Sequence, residues 1–259
     1  DLIVNTGINK IYQNDDIEKI FTENSILWLR VDSELSSLHV NKIKQQHILY
    51  EYIKLFKDGD YIGQMESLSN IGKDQEHYSK TLQILRTLIE YPNIYYKVRQ
   101  YAIKIYTKIL LKLKNDNEYQ FLLDVLDDCY NELLKNKTSL NLETYYVMTE
   151  LIKYLGEYKE TNFKQFYTVG NVKNSSMQNS IIKKFLAILF SNELNTISNY
   201  DNCYIMAEIL ISVSKFNIQD NSFILLQKIL KNLRIEKLKR SINEITIIST
   251  INALINLLI

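Results

Sequence analysis

One proline and six glycines among 259 residues leave this chain short of the turn-formers that a multi-stranded β fold requires. Histidine is nearly as scarce. His39, His47 and His77 are the whole supply, no two of them three or four residues apart, and no HExxH zinc pattern occurs. His47 and Glu51 stand one helical turn apart, yet one histidine beside one carboxylate is usually a structural or surface pair rather than a catalytic couple. Cys129 and Cys203 are the only cysteines. Two isolated cysteines make neither a metal knuckle nor a disulfide scaffold, so both read as small core side chains in a reducing compartment. Glycine patterns for a nucleophile elbow, a phosphate loop or a dinucleotide fold are missing. The acidic pairs Asp15-Asp16 and Asp127-Asp128 lack the neighbouring oxygen ligands of a calcium loop or two-metal site. These absences argue against an enzyme, and no metal, cofactor or small-molecule substrate is expected.

An excess of charge of one sign is also lacking. Thirty-one basic residues face 30 acidic ones, a formal net charge of +1, so any contact with a polyanion must come from a local patch. Lys, Glu, Asn or Gln interrupt the apolar runs before they reach the roughly eighteen residues of a membrane span, and the N-terminus lacks the basic and apolar regions of a signal peptide. An intracellular soluble protein is expected. Asn136-Lys-Thr and Asn174-Ser-Ser match the glycosylation pattern, but nothing else points to secretion.

What the chain has in abundance is amphipathic helix, since 46% of it is apolar. The governing stretch is Tyr95 to Leu113. At helical spacing Val98, Ala102, Ile105, Ile109 and Leu113 share one side, and Lys97, Lys104, Lys108 and Lys112 fall largely on another. Pro92 closes the helix before it, because proline lacks an amide and clashes with the preceding turn. Two long helices broken at Pro92 form an antiparallel hairpin. Similar signals predict helices over His47–Phe56, Asp60–Ile71, Tyr78–Tyr91, Tyr95–Lys114, Glu118–Leu134, Leu142–Leu155, Met177–Phe190, Asp201–Phe216, Ser222–Leu233 and Leu238–Ile259. Asp58-Gly-Asp60 supplies a turn and a cap; Asn70 and Gly72 end the next helix.

Helix pairs that recur about every forty residues have the period of HEAT-type repeats. The expected fold is therefore all-α, a HEAT-like solenoid of antiparallel helix pairs over residues 46–259. Residues 1–45 differ. Ile26 to Asp32 alternates as a strand, with Trp28, Arg30 and Asp32 on one face, and Leu38 to Ile43 can return as its partner. An isolated two-stranded ribbon is marginal, so this hairpin is expected to pack on the first helices or to close an upstream sheet domain. The longest linker, Gly156 to Ser176, is expected to be a mobile loop or a recognition segment.

Three sets of side chains are candidates for contact or for special structural roles. Lys228, Lys231, Arg234, Lys237, Lys239 and Arg240 form a basic cluster that could meet phosphate or a partner, as could the Lys97–Lys112 row; a solvated face is the plainer reading of each. Tyr50, Tyr52, Tyr61, Tyr78, Tyr91, Tyr95 and Tyr96 crowd the early helices, either as contact area or as seam filling. Arg99 lies close to an apolar stripe and is expected to be buried in an ion pair, with Glu66 as one possible partner. Losing one member of such a pair typically costs ~3–5 kcal/mol.

Leu27-Trp-Leu-Arg-Val-Asp32, Asp60-Tyr-Ile-Gly-Gln-Met-Glu-Ser-Leu68 and Tyr95-Tyr-Lys-Val-Arg-Gln-Tyr-Ala102 occur in that order, and Asp201-Asn-Cys-Tyr204 and Glu236-Lys-Leu238 follow. In these blocks the sequence resembles the second TBP-associated factor, the large subunit of the general transcription factor TFIID. Ser33 departs from the family, where a proline commonly follows the aspartate, and His39 to Gln46 matches poorly. The resemblance implies a chain that begins near the end of an aminopeptidase-like β-sandwich region (1–45) and continues into HEAT-like repeats. It also implies a nuclear, non-catalytic scaffold that supports core-promoter (initiator) recognition and preinitiation-complex assembly. Its implied partners are the eighth and the largest TBP-associated factors and, within the complex, promoter DNA, with no membrane. Trp28, Arg30, Asp32, Gln64, Glu66, Tyr96, Val98 and Arg99 are carried over as structural motif positions. The alternatives are the helical C-terminal domain of an active zinc aminopeptidase and a generic HEAT-like adaptor.

Overall fold

The computed structural model describes residues 48–74, 77–113, 117–135, 141–158, 177–190, 203–216, 248 and 251–252. All regular structure among them is helical: α1 (Ile48–Lys57), α2 (Tyr61–Ile71), α3 (Tyr78–Glu90), α4 (Tyr96–Leu113), α5 (Asn117–Lys135), α6 (Leu142–Leu155), α7 (Met177–Phe190) and α8 (Cys203–Ser214). The all-α class is as expected from the sequence, and the ends of these eight helices fall within two residues of those predicted. Outside the described residues lie the hairpin with Trp28, Arg30 and Asp32, the 45/46 boundary, most of the long linker and the helix from Ser222. So does the helix from Leu238, apart from residues 248, 251 and 252, which are helical. The chain divides into two compact units, the first ending at Lys112 and the second beginning at Leu113.

In the first unit, polar groups set the turn and apolar faces do the packing. Asp60 caps α2 by accepting the Ile62 amide at 3.1 Å, and Asp58 Oδ1 accepts the Asp60 amide at 3.0 Å. Gln64 reaches back from α2 and donates to the Asp58 carbonyl at 3.0 Å. The turn returns α2 antiparallel to α1. Lys54 Nζ donates to Glu66 Oε2 at 3.0 Å, and Asn70 Nδ2 donates to Glu51 Oε1 at 2.8 Å, so early residues of α1 face late residues of α2. Leu49, Tyr52, Ile53, Leu55, Leu68 and Ile71 are buried. Tyr52 OH meets Thr81 Oγ1 at 3.1 Å and ties α1 to α3. At the end of α2, a Cβ on Gly72 would come within 2.8 Å of Ile105 Cγ2, so glycine lets the chain pass close to α4.

The α3–α4 hairpin is held by a ladder of long polar side chains. Arg99 meets the Ile89 carbonyl, Arg86 Nε donates to Tyr106 OH at 3.1 Å, and Lys112 Nζ donates to Tyr78 OH at 2.9 Å. As one residue number rises the other falls, so the two helices run antiparallel. Pro92 lies in the turn between them, and α3 stops at Glu90. Arg99, 6% exposed, is buried as expected, but Glu66 is engaged by Lys54 rather than by Arg99. Arg99 donates Nε and Nη2 to the Ile89 carbonyl at 3.1 and 2.8 Å. That carbonyl belongs to the last turn of α3, where no helical amide follows to take it, and a guanidinium there also meets the negative end of the helix dipole. Val98, Ala102, Ile105 and Ile109 are buried as predicted; Leu113 is not, at 45% exposed. In the antiparallel register Leu113 stands opposite a position before the start of α3, so α3 does not cover it.

In the second unit α6 is the central element, packed against α5 on one side and α8 on another. Asn141 caps α6, accepting the Glu143 and Thr144 amides at 3.1 and 3.3 Å, while its amide donates to Glu132 of α5 at 2.8 Å. At the far end, Gly156 lies against α8 so closely that a Cβ there would fall 2.4 Å from Ser212 Cβ and 2.9 Å from Ser212 Cα. Ser212 Oγ uses the approach to donate to the Ile152 carbonyl at 3.1 Å. Tyr119 and Tyr158 meet edge to face at 4.6 Å between centroids. Cys129 is buried, as a small core residue should be. On α7, Phe185, Ile181 and Ile188 are buried, and Lys184 pairs with Asp127 of α5.

Candidate interaction surface

The motif positions carried over from the resemblance separate into frame and surface. Gln64, Glu66, Val98 and Arg99 belong to the frame: a back-donated turn bond, an ion pair across α1–α2, a buried apolar contact and the α3 carbonyl lock. Tyr96 begins α4 and joins an aromatic cluster described below. Trp28, Arg30 and Asp32 lie outside the described residues, as do Lys228, Lys231, Arg234, Lys237, Lys239 and Arg240.

The lysine row of α4 is a true face. At about 100° per residue, the buried residues Val98 to Leu110 sweep one broad arc and leave a narrower one outward. On the outer arc stand Lys97, Tyr101, Lys104, Lys108, Leu111 and Lys112, along about 22 Å of helix at 1.5 Å per residue. Helix α4 contains no aspartate or glutamate, and none of these four lysines pairs with a carboxylate among the described residues. Two of the ammonium groups rest instead on tyrosine rings: Lys97 Nζ is 5.8 Å from the Tyr61 centroid and Lys104 Nζ 5.6 Å from that of Tyr101. A third, Lys112 Nζ, donates to the Tyr78 hydroxyl at 2.9 Å, at the edge of the ring. Such contacts steady a lysine without neutralising it. Lys108 is exposed between them.

At the start of α4 the tyrosines gather. Tyr61 and Tyr95 are 40% and 39% exposed, with ring centroids 5.4 Å apart, and Tyr95 meets Tyr96 at 4.8 Å. The two roles left open for the tyrosines are thus divided among them: Tyr52 and Tyr78 fill seams, whereas Tyr61 and Tyr95 show their rings to solvent. Asp60 caps α2, but no acidic residue occupies the first turn of α4, where one would ordinarily offset the positive end of the helix dipole. Lys97 adds to that positive end. Sequence reasoning took up the lysines and missed Tyr101 and Leu111 as members of the same face. Leu111 is 40% exposed, although an apolar residue between Leu110 and Leu113 reads as core in the sequence. The spacing 97, 101, 104, 108, 111 was the signal, since it follows one helical face.

The electrostatics of the second unit are of a different kind. Glu208, on α8, has its carboxyl pushed above the usual range first by burial, with Lys215 and Lys153 opposing and Glu150 and Glu157 reinforcing the rise. Burial pushes the Lys184 ammonium down. In the first unit, burial raises the Tyr52 phenol, opposed by its Thr81 hydrogen bond. Among the described residues no three His, Cys, Asp or Glu side chains are placed to hold a metal ion, and no helix is long and apolar enough to cross a membrane. What the α4 face can do chemically is bind: a row of positive charge with apolar groups set into it. Comparison of the chain with protein families, with characterised proteins and with solved structures finds no match.

Proposed function

We propose that this chain is a non-catalytic, nuclear scaffold segment of the promoter-bound complex TFIID, corresponding to the HEAT-like part of its second TBP-associated factor. The observation that carries the reading is the ordered set of sequence blocks around Trp28, Gln64 and Arg99. In its support, the block residues among those described have framing roles: the Asp60 cap, the Gln64 turn bond, the Lys54–Glu66 pair and the Arg99 lock all hold helix hairpins together. A signature made of hairpin-fixing residues suits a protein whose function is to present surfaces. Successive antiparallel pairs such as α1–α2 and α3–α4 are the units from which HEAT-type repeats are built. On this reading the chain joins other TBP-associated factors, especially the eighth and the largest, and supports initiator recognition without a reaction of its own.

Affinity purification of the endogenous, tagged protein followed by mass spectrometry tests the proposal. Co-recovery of TBP and several associated factors is the expected result; recovery without any of them would overturn it.

A further inference from the structure

We propose that the outer face of α4 docks an acidic, amphipathic segment of a partner protein, its carboxylates meeting the lysine row and its apolar side chains meeting Tyr101 and Leu111. The inference rests on the scaffold reading above and adds the surface and the chemistry of the partner. Three observations carry it.

The first is charge without a counter-charge. Four lysines lie along one face of a helix that has no acidic residue, and no described carboxylate neutralises them. An ordinary solvated helix face interleaves both signs, because i,i+4 pairs of opposite charge support the helix. Here like charges at Lys104, Lys108 and Lys112 repeat at a spacing that disfavours the isolated helix. A bound acidic segment would offset that cost.

The second is the apolar content of the same face. Exposed ion pairs contribute little individually, so a row of lysines alone makes a weak site. Leu111 is 40% exposed within the row, and Tyr61 and Tyr95 show their rings at its N-terminal end. An acidic segment carrying leucine or aromatic residues satisfies both kinds of group at once, by the same physics that lays amphipathic helices against complementary surfaces.

The third decides between protein and nucleic acid. Binding to single strands uses free aromatic faces on which bases stack. The Tyr101 ring on α4 meets the Lys104 ammonium and the Tyr61 ring at the start of α2 meets that of Lys97, so these rings already serve to position charge. A leucine in the row gives nothing to a phosphate backbone, and a chain of net charge +1 has no broad field to gather a polyanion.

The test uses the purified chain and a fluorescein-labelled peptide of about sixteen residues, long enough as a helix to span the face at 1.5 Å per residue. Glutamates line one side of the peptide and leucines recur at i, i+3, i+4 and i+7. The comparison probes are a peptide of equal length and charge without leucine, and a single-stranded oligonucleotide of matched charge. Fluorescence anisotropy is expected to show that the leucine-bearing acidic peptide binds most tightly, more weakly as salt rises. K104E/K108E is expected to lose at least tenfold in affinity and L111S at least threefold. K108E alone, at an exposed position, is the fallback should the double variant melt early. The proposal is overturned if the leucine-bearing peptide does not bind, if the oligonucleotide or the leucine-free peptide binds as tightly, or if charge reversal in a folded variant leaves affinity unchanged. A charge-reversed protein that still co-purifies with TBP but no longer binds the peptide separates this surface from membership of the complex. Normal peptide binding by a protein that never co-purifies with TBP would overturn the complex and leave the surface standing.

Discussion

Replacing Arg99 with alanine should open the α3–α4 hairpin at its root. The guanidinium is 6% exposed and donates two hydrogen bonds to one acceptor, the Ile89 carbonyl, at 3.1 and 2.8 Å. A hydrogen bond from a charged donor is worth about 1.5–3 kcal/mol, and a buried carbonyl left without a donor costs about 1–3 kcal/mol. Both bonds end on the same oxygen, so these terms overlap rather than add; with the lost packing of the arginine stem, the expected destabilisation is ~3 kcal/mol. Urea unfolding of the chain, followed through the transition of the first unit, measures it. Arg99→Lys should restore part of the loss, because an ammonium can reach one carbonyl but has no planar fork. The partner is tested by a double-mutant cycle with Glu66→Ala. Glu66 pairs with Lys54, so its effect should add to that of Arg99→Ala within about 0.5 kcal/mol. A coupling above ~1 kcal/mol would restore the Arg99–Glu66 ion pair, and a loss below ~1 kcal/mol for Arg99→Ala would refute the lock itself.

Three further outcomes follow from the same geometry. Gly156→Ala should destabilise the second unit by about 1–3 kcal/mol, because the new methyl meets the backbone of α8 at Ser212 rather than a movable side-chain tip. Gly59→Ala, in open space, should be neutral or stabilise by about 0.4–1 kcal/mol through the unfolded chain; similar melting shifts for the two would contradict the close α6–α8 approach. Glu208 titrates above the 4.5 of an ordinary glutamate because burial disfavours its charge, so its penalty on the fold is present at neutral pH and fades as pH falls through its raised value. Glu208→Gln should therefore raise stability at pH 7 by at most about 0.5 kcal/mol, since the carboxyl keeps some water, and the gain should vanish near pH 4; a gain that grew on acidification would show the sign to be wrong. Tyr52→Phe should cost about 1–2 kcal/mol by leaving the buried Thr81 hydroxyl one partner short. It should also remove the fall in stability that the raised Tyr52 phenol gives the wild type above pH 10, which a pH series of melting curves would read.

Local signals made the helices legible. Asp60, Gly72 and Pro92 act at their own positions, and capping, helix termination at a glycine and the missing proline amide need only a few neighbours to be inferred. The burial of Arg99 was legible for the same reason, from its place beside the apolar stripe. Its partner was not, because the acceptor is a backbone carbonyl, and every residue carries one. The contact of Gly156 with Ser212 joins positions far apart in sequence, and nothing in either residue type announces the other. Leu113 looked like core because helical periodicity continues to the end of α4, whereas burial stops where α3 begins. On the α4 face the lysines stood out by charge; Tyr101 and Leu111 were hidden because tyrosine and leucine are read as core until exposure is known.

Zero-length carbodiimide coupling on the complex purified from cells is the most direct measurement, since it joins lysine amines to carboxylates already in contact. Amides within the chain at Lys54–Glu66 and Lys184–Asp127 serve as internal controls. A scaffold that presents the α4 face predicts amides from Lys104 or Lys108 to aspartates or glutamates of another TBP-associated factor. Intrachain amides alone, with no product joining α4 to a second subunit, would contradict it.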